Sequence, residues 1–390
     1  VVIKQPARLV VIILMLGALA LVGWFFLLPA SLKQARQAAA LALAEDNEAA
    51  LERARSSLLA AGAPGEAQVL QGRMFLQRGQ PGRALEMARK VGGADPAQAD
   101  ARVLAAECLL VLGRTLEAGD AFQEILKLQP DNADALLGMA AVWYDLGALV
   151  RALEPAEKAA SLRVNDGRPL RLLGSIHLQL GERFVAREKL EQAVAREMPP
   201  SHARQALVQL LELELEEGRL SEATTLQARL AAFEAATARE QALAAWLMEL
   251  QGDSAESLAR LRAITEREIG DPTLWRWLGE ALLRAGKATE AVAPLEKTLQ
   301  LEPQAPEPRH LLARALDRAG QADKARQVRQ DLALLEQRLK QLTALNAKVD
   351  ENPLDPAPRL EMATVCEAVG RPDWARQWRE SAAKGRAGNP

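Results

Sequence analysis

Residues 99–132 read ADARVLAAECLLVLGRTLEAGDAFQEILKLQPDN. Gly113 divides this stretch into two Ala- and Leu-rich segments whose apolar residues recur at helical spacing. A glycine closing a helix takes the left-handed conformation that any residue with a Cβ adopts only at a cost. Ala106, seven residues before it, and Ala118, five after, leave room for two helices to approach closely. The stretch reads as a helical hairpin.

Outward from this hairpin the pattern repeats. Gly79, Gly113, Gly147 and Gly181 stand 34 residues apart, as do Gly218, Gly252, Gly286 and Gly320. A step of 37 separates the two series, and Gly370 follows. Five residues after each of these glycines the position is small, from Ala84 through Ser257 to Ala375. Seven residues before, it is small everywhere except at Leu211. One hairpin cannot bury its own apolar stripe, whereas a stack of them can.

The unit 99–132 resembles the tetratricopeptide repeat. Its Ala106, Gly113, Ala118, Phe122 and Pro130 fall on that family's signature positions, and it ends in the typical PDN. Trp275 and the step Leu278-Gly279 match the family in a later unit. The resemblance implies an all-α fold, a right-handed solenoid of about ten helical hairpins. Its expected layout is one block over 31–200, a second over 204–339, an extended helix and Pro-rich loop over 340–355, and a capping repeat over 356–389. Met198-Pro199-Pro200 and the extra residues Ser201-His202-Ala203 break the register between the blocks.

Ahead of the repeats, a short basic tail (1–8) precedes LVVIILMLGALALVGWFFLL, residues 9–28, which carries no charge. Twenty apolar residues are the length needed to cross a hydrocarbon core. Leu28-Pro29-Ala30 does not fit a cleavage site, so the segment is expected to be a retained transmembrane helix. A short basic tail held in the cytoplasm sends the repeats to the periplasmic side. The expected location is the bacterial inner membrane, single-pass. Arg outnumbers Lys 37 to 12, which agrees with a bacterial source.

Composition excludes several classes. With 49 basic and 51 acidic residues the chain lacks the basic excess of a nucleic-acid binder. Cys108 and Cys366 form no CxxC pair, and His177, His202 and His310 are scattered. The two cysteines read as core residues. The acidic run Glu212–Glu217 reads as a solvated helix face. Nothing resembles a phosphate-binding glycine loop, since the glycines of the series are spent on the hairpin turns. No catalytic residue, metal ligand, cofactor or small-molecule substrate is expected.

The resemblance implies a concave groove lined by the first helix of each repeat. Arg73, Tyr144, Arg168, Arg171, Trp246, Arg276, His310 and Arg314 occupy its lining positions. Arginine offers paired donors to carboxylates, and aromatic rings offer flat apolar surface. The Lys–Asn pair with which some tetratricopeptide domains grip chaperone C-termini is absent from every repeat. The expected function is a non-enzymatic, membrane-anchored scaffold or assembly factor binding protein or peptide partners at the bacterial envelope, or a subunit of a larger membrane complex. The alternative is a cytosol-facing anchored receptor for protein clients.

Overall fold

A computed structural model describes residues 31–43, 47–351 and 355–387. The described residues form helices α1 (31–43), α2 (Glu48–Ala60), α3 (Pro64–Gln77), α4 (Pro81–Arg89), α5 (Gln98–Val111), α6 (Thr115–Leu128) and α7 (Ala133–Asp145). They continue as α8 (Leu149–Leu162), α9 (Arg168–Gln179), α10 (Arg183–Val194), α11 (Pro200–Glu216), α12 (Leu220–Leu230), α13 (Ala238–Leu250) and α14 (Ser254–Arg267). The last are α15 (Pro272–Arg284), α16 (Ala288–Leu301), α17 (Pro306–Arg318), α18 (Ala322–Glu351), α19 (Pro356–Ala368) and α20 (Pro372–Ala387).

The glycine series makes the turns. All nine have positive φ, from +68° at Gly79 to +113° at Gly252. At Gly113 the glycine N–H donates to the Leu110 carbonyl and the Arg114 N–H to the Leu109 carbonyl, both at 2.9 Å. This pair of backward bonds satisfies carbonyls that the end of a helix leaves open, and it recurs at each of the other eight glycines. The small residue five positions on is 0% exposed in all nine hairpins, which is where the two helices meet. Prolines open α3, α9, α15, α17 and α19, where a missing N–H costs nothing.

Two compact units divide the chain. One runs through Met139 and includes Met198–Pro200; the other holds Ala140–Glu197 and everything from Ser201 on. In the first, Leu51, Leu58, Leu70 and Met74 belong to a core with Ala35, Ala39 and Ala42 of α1. In the second, a continuous core runs from Leu190 to Ala325, with the rings of Trp246 and Trp277 6.3 Å apart. Ahead of α9, Gly167 donates to Glu197 at 2.9 Å and Glu197 to Asn165 at 3.1 Å, tying two interhelix loops together.

The expected transmembrane helix and the single-pass inner-membrane location require correction. No helix among the described residues is long and apolar enough to cross a membrane. Even the longest, the 30-residue α18, carries charged side chains along its length, such as Arg329, Arg338 and Lys348. Residues 9–28, on which that expectation fell, lie outside the described residues. The described residues form an all-α solenoid of tetratricopeptide type, with no membrane-spanning helix among them.

Candidate functional site

In the second unit, the first helices of successive hairpins are α9, α11, α13, α15 and α17, and their polar side chains tie one hairpin to the next. Gln209 donates to the Ser175 hydroxyl at 2.8 Å, and Gln179 to the Tyr144 hydroxyl at 2.7 Å. Arg284 reaches back to both oxygens of Glu249 at 2.9 Å while its guanidinium lies 5.0 Å from the Trp246 ring.

Arg276 is the centre of a network of three carboxylates. It meets Glu280 at 2.7 Å on its own helix, Glu212 of α11 at 2.9 Å and Glu307 of α17 at 3.3 Å. Burial disfavours its charge, but these three carboxylates outweigh that and hold the guanidinium protonated. The carboxylates fare less well. Burial pushes the Glu212 and Glu280 carboxyls above the ordinary carboxylate range, and Arg276 offsets this only in part.

Beside this network lies an open cleft of about 390 Å³ lined by Arg183, Glu216, Glu217, Trp246, Glu280, Arg284 and Glu307. Arg183 pairs with Glu216 and Glu217, and Arg187 with Glu214 and Glu217. Arg219 adds to Glu214 and Glu217. The Glu212–Glu217 run is therefore only in part the solvated face its sequence indicates, with Glu216 and Glu217 exposed and Glu212 half-buried. Glu214 is 1% exposed and is neutralised by arginines of the neighbouring turn and helix.

Arg171 differs from the other arginines of α9 and α10 in that no ion pair reaches its side chain among the described residues; its Nε, like that of Arg187, is buried with no hydrogen-bond acceptor there. Burial lowers its basicity, opposed only by the Tyr144 hydroxyl. His202 is pushed down to about 4 by burial and by the charges of Arg171 and Arg168, against a smaller pull from Asp166.

The residues expected to line a groove fall in several settings. Arg73 is half-buried on α3, and Tyr144 and Arg171 are half-buried in the second unit. Arg168 closes a local ion pair with Asp166 at 2.6 Å at the start of α9. Trp246 is 4% exposed and belongs to the core, with one part of it facing the cleft. His310 is exposed and 3.5 Å from Glu336, and Arg314 is exposed on α17. Residue type marked these positions but missed Glu280 and Glu307, whose setting depends on Arg276. The available signal was the i,i+4 spacing of Arg276 and Glu280 on one helix, whereas Glu307 is brought to Arg276 only by the stacking of α17 on its neighbour. No group of three His, Cys, Asp or Glu among the described residues could hold a metal ion.

Stacked hairpins with polar side chains spanning their first helices define a helical-repeat interaction scaffold. The chain is similar to the tetratricopeptide repeat family: one tetratricopeptide repeat model matches residues 69–133, 117–163 and 251–306, and another matches 282–349. The fold is similar to that of a chain of the APC/C hetero-tetramer Cut9–Hcn1, with 18% identity and a TM-score of 0.57 over 73% of this chain and 55% of that one. Human IFIT1, solved as a dimer with m7Gppp-AAAA, is 14% identical with a TM-score of 0.50, covering 88% of both chains. A tetratricopeptide repeat protein from Parabacteroides merdae is 16% identical with a TM-score of 0.45, over 65% of this chain and 98% of that one. Identities this low speak to the fold alone. No curated protein sequence matches the chain. Tetratricopeptide folds generally serve as non-catalytic scaffolds for protein or peptide partners.

Proposed function

We propose that this chain is a non-enzymatic scaffold or assembly factor that holds a partner polypeptide against the first helices of its second unit. The observation that carries this reading is Arg171. A desolvated guanidinium without an acid partner loses hydration and gains no pairing, so its position is best accounted for by an acceptor that arrives with a ligand. Tyr144 supports it: its hydroxyl accepts from Gln179 and keeps its own proton to donate. A carboxylate of the partner suits these donors. Arg276, His310 and Arg314 are the further contact residues in this reading, on α15 and α17.

The test is selection of a random dodecapeptide library on the immobilised full-length chain. The expected result is enrichment of peptides that carry an acidic group, with binding to Arg171→Ala about tenfold weaker. Enriched peptides that bind wild type and Arg171→Ala equally would remove Arg171 from the site. A library with no enrichment would overturn the groove reading.

A further inference from the structure

The cleft beside Arg276 is short of positive charge. Its lining holds four carboxylates, Glu216, Glu217, Glu280 and Glu307, against two guanidiniums; Arg187 and Arg219 reach Glu217 from outside the lining and neither pairs with Glu216, Glu280 or Glu307 among the described residues. Both arginines are already engaged, Arg183 by Glu216 and Glu217, and Arg284 by Glu249 and, at 3.6 Å, by Glu280. Among the described residues the one cation paired with Glu307 is Arg276, which that carboxylate shares with Glu212 and Glu280. Burial keeps the Glu280 carboxyl raised in spite of two arginines close by, so a further cation there gains more than one placed on an exposed glutamate.

A second observation is independent of the charges. Trp246, which also lines the cleft, is 4% exposed, and its indole N–H meets no acceptor among the described residues. A buried donor left unpaired is costly, and a ligand bearing a carbonyl satisfies it. What fits both needs is a cation on a flexible arm with an amide carbonyl near its base. A bare metal ion does not, since no three ligating side chains converge among the described residues. A cleft of about 390 Å³ accommodates a long basic side chain with its adjoining backbone.

We propose that this cleft receives a lysine or arginine side chain of the bound polypeptide, its cation among Glu280, Glu307 and Glu216 and a neighbouring backbone carbonyl on the Trp246 N–H. The assignment rests on the groove reading above and adds a second pole to it: an acidic group of the partner at Arg171 and a basic one at the cleft.

The experiment uses the full-length chain and a lead peptide from the dodecapeptide selection. Each basic residue of the lead is replaced in turn, lysine by norleucine and arginine by citrulline, and binding is measured by fluorescence anisotropy on wild type, Glu307→Gln and Glu280→Gln. One replacement is expected to weaken binding to wild type about tenfold and to have little further effect on either variant. The lysine and arginine arms show which side chain the cleft takes. Glu307 is exposed, so Glu307→Gln keeps the fold and the comparison holds even if Glu280→Gln loosens Arg276. Leads without a basic residue, or a replacement that costs as much on Glu307→Gln as on wild type, would overturn the proposal while leaving the Arg171 result standing. Failure to enrich any peptide would instead remove the groove reading and this assignment with it.

Discussion

Gly174 lies directly beneath Leu190: a Cβ built on Gly174 would come within 2.6 Å of the Leu190 Cγ. Sixteen residues separate the pair, and the same spacing and the same 2.6 Å recur between Gly279 and Leu295. Both leucines are 0% exposed, so neither can swing away into solvent. Gly174→Ala and Gly279→Ala are each expected to cost about 1–3 kcal/mol, the usual penalty of overpacking a tight core. Urea unfolding followed by circular dichroism measures this, and midpoints equal to wild type would mean the hairpins are looser than described.

Arg204 and Glu240 form a pair of a different kind. Glu240 is 2% exposed, meets Arg204 at 2.6 Å and caps α13 through the Thr237 N–H at 3.0 Å. Burial raises its carboxyl, but the Arg204 bonds and the cap outweigh that, and the net result lies below the ordinary value of 4.5. The stabilisation is therefore complete above about 4.5 and is lost as pH falls through the lower, folded-state value. Arg204→Ala leaves a buried carboxylate unpaired and is expected to cost about 3 kcal/mol at neutral pH. The gap between variant and wild type should close as the solution is acidified below pH 4; a gap independent of pH would mean the loss is one of packing.

His202 sets a separate pH window. Its folded value near 4 lies below the unfolded 6.5, so the unfolded chain binds the extra proton between these limits. Stability contributed by the neutral ring is present above pH 6.5 and drains away as pH falls toward 4. His202→Gln has no proton to gain and should flatten the stability profile over that interval. Identical slopes for variant and wild type would place His202 in water.

Both thiols should be inert in the native chain. Burial pushes Cys108 up to about 12 and Cys366 up to about 11, and both are almost wholly enclosed. The thiolate is the reactive form, so labelling with Ellman's reagent should be slow until urea is added and then rapid at two sites. Fast labelling of one cysteine in native buffer would locate a hairpin that opens on its own.

The hairpin geometry was legible because sterics act at fixed spacing. A positive φ at Gly113 and a zero-exposure contact at Ala118 follow from residue size alone, and the 34-residue recurrence repeats the evidence. The charges were not legible in the same way. Glu214 looks like any surface glutamate until Arg187 and Arg219 are brought onto it, and Glu280 takes its character from Arg276 and from burial. Trp246 was marked by its residue type, yet most of its ring serves the core between hairpins. Residues 9–28 were read from length and apolarity alone, a reading that sets no packing partner. In α18, by contrast, the absence of any glycine from 322 to 351 corresponds to an unbroken helix.

That helix has a mechanical consequence. At 1.5 Å per residue α18 is a rod about 45 Å long. Its early turns pack on α17, its later ones on α19, and Arg338 holds the Ala368 carbonyl at 2.7 Å. The terminal hairpin α19–α20 is thus mounted on a splint instead of hanging from a loop, and a torque applied to that hairpin is delivered to α17 as leverage.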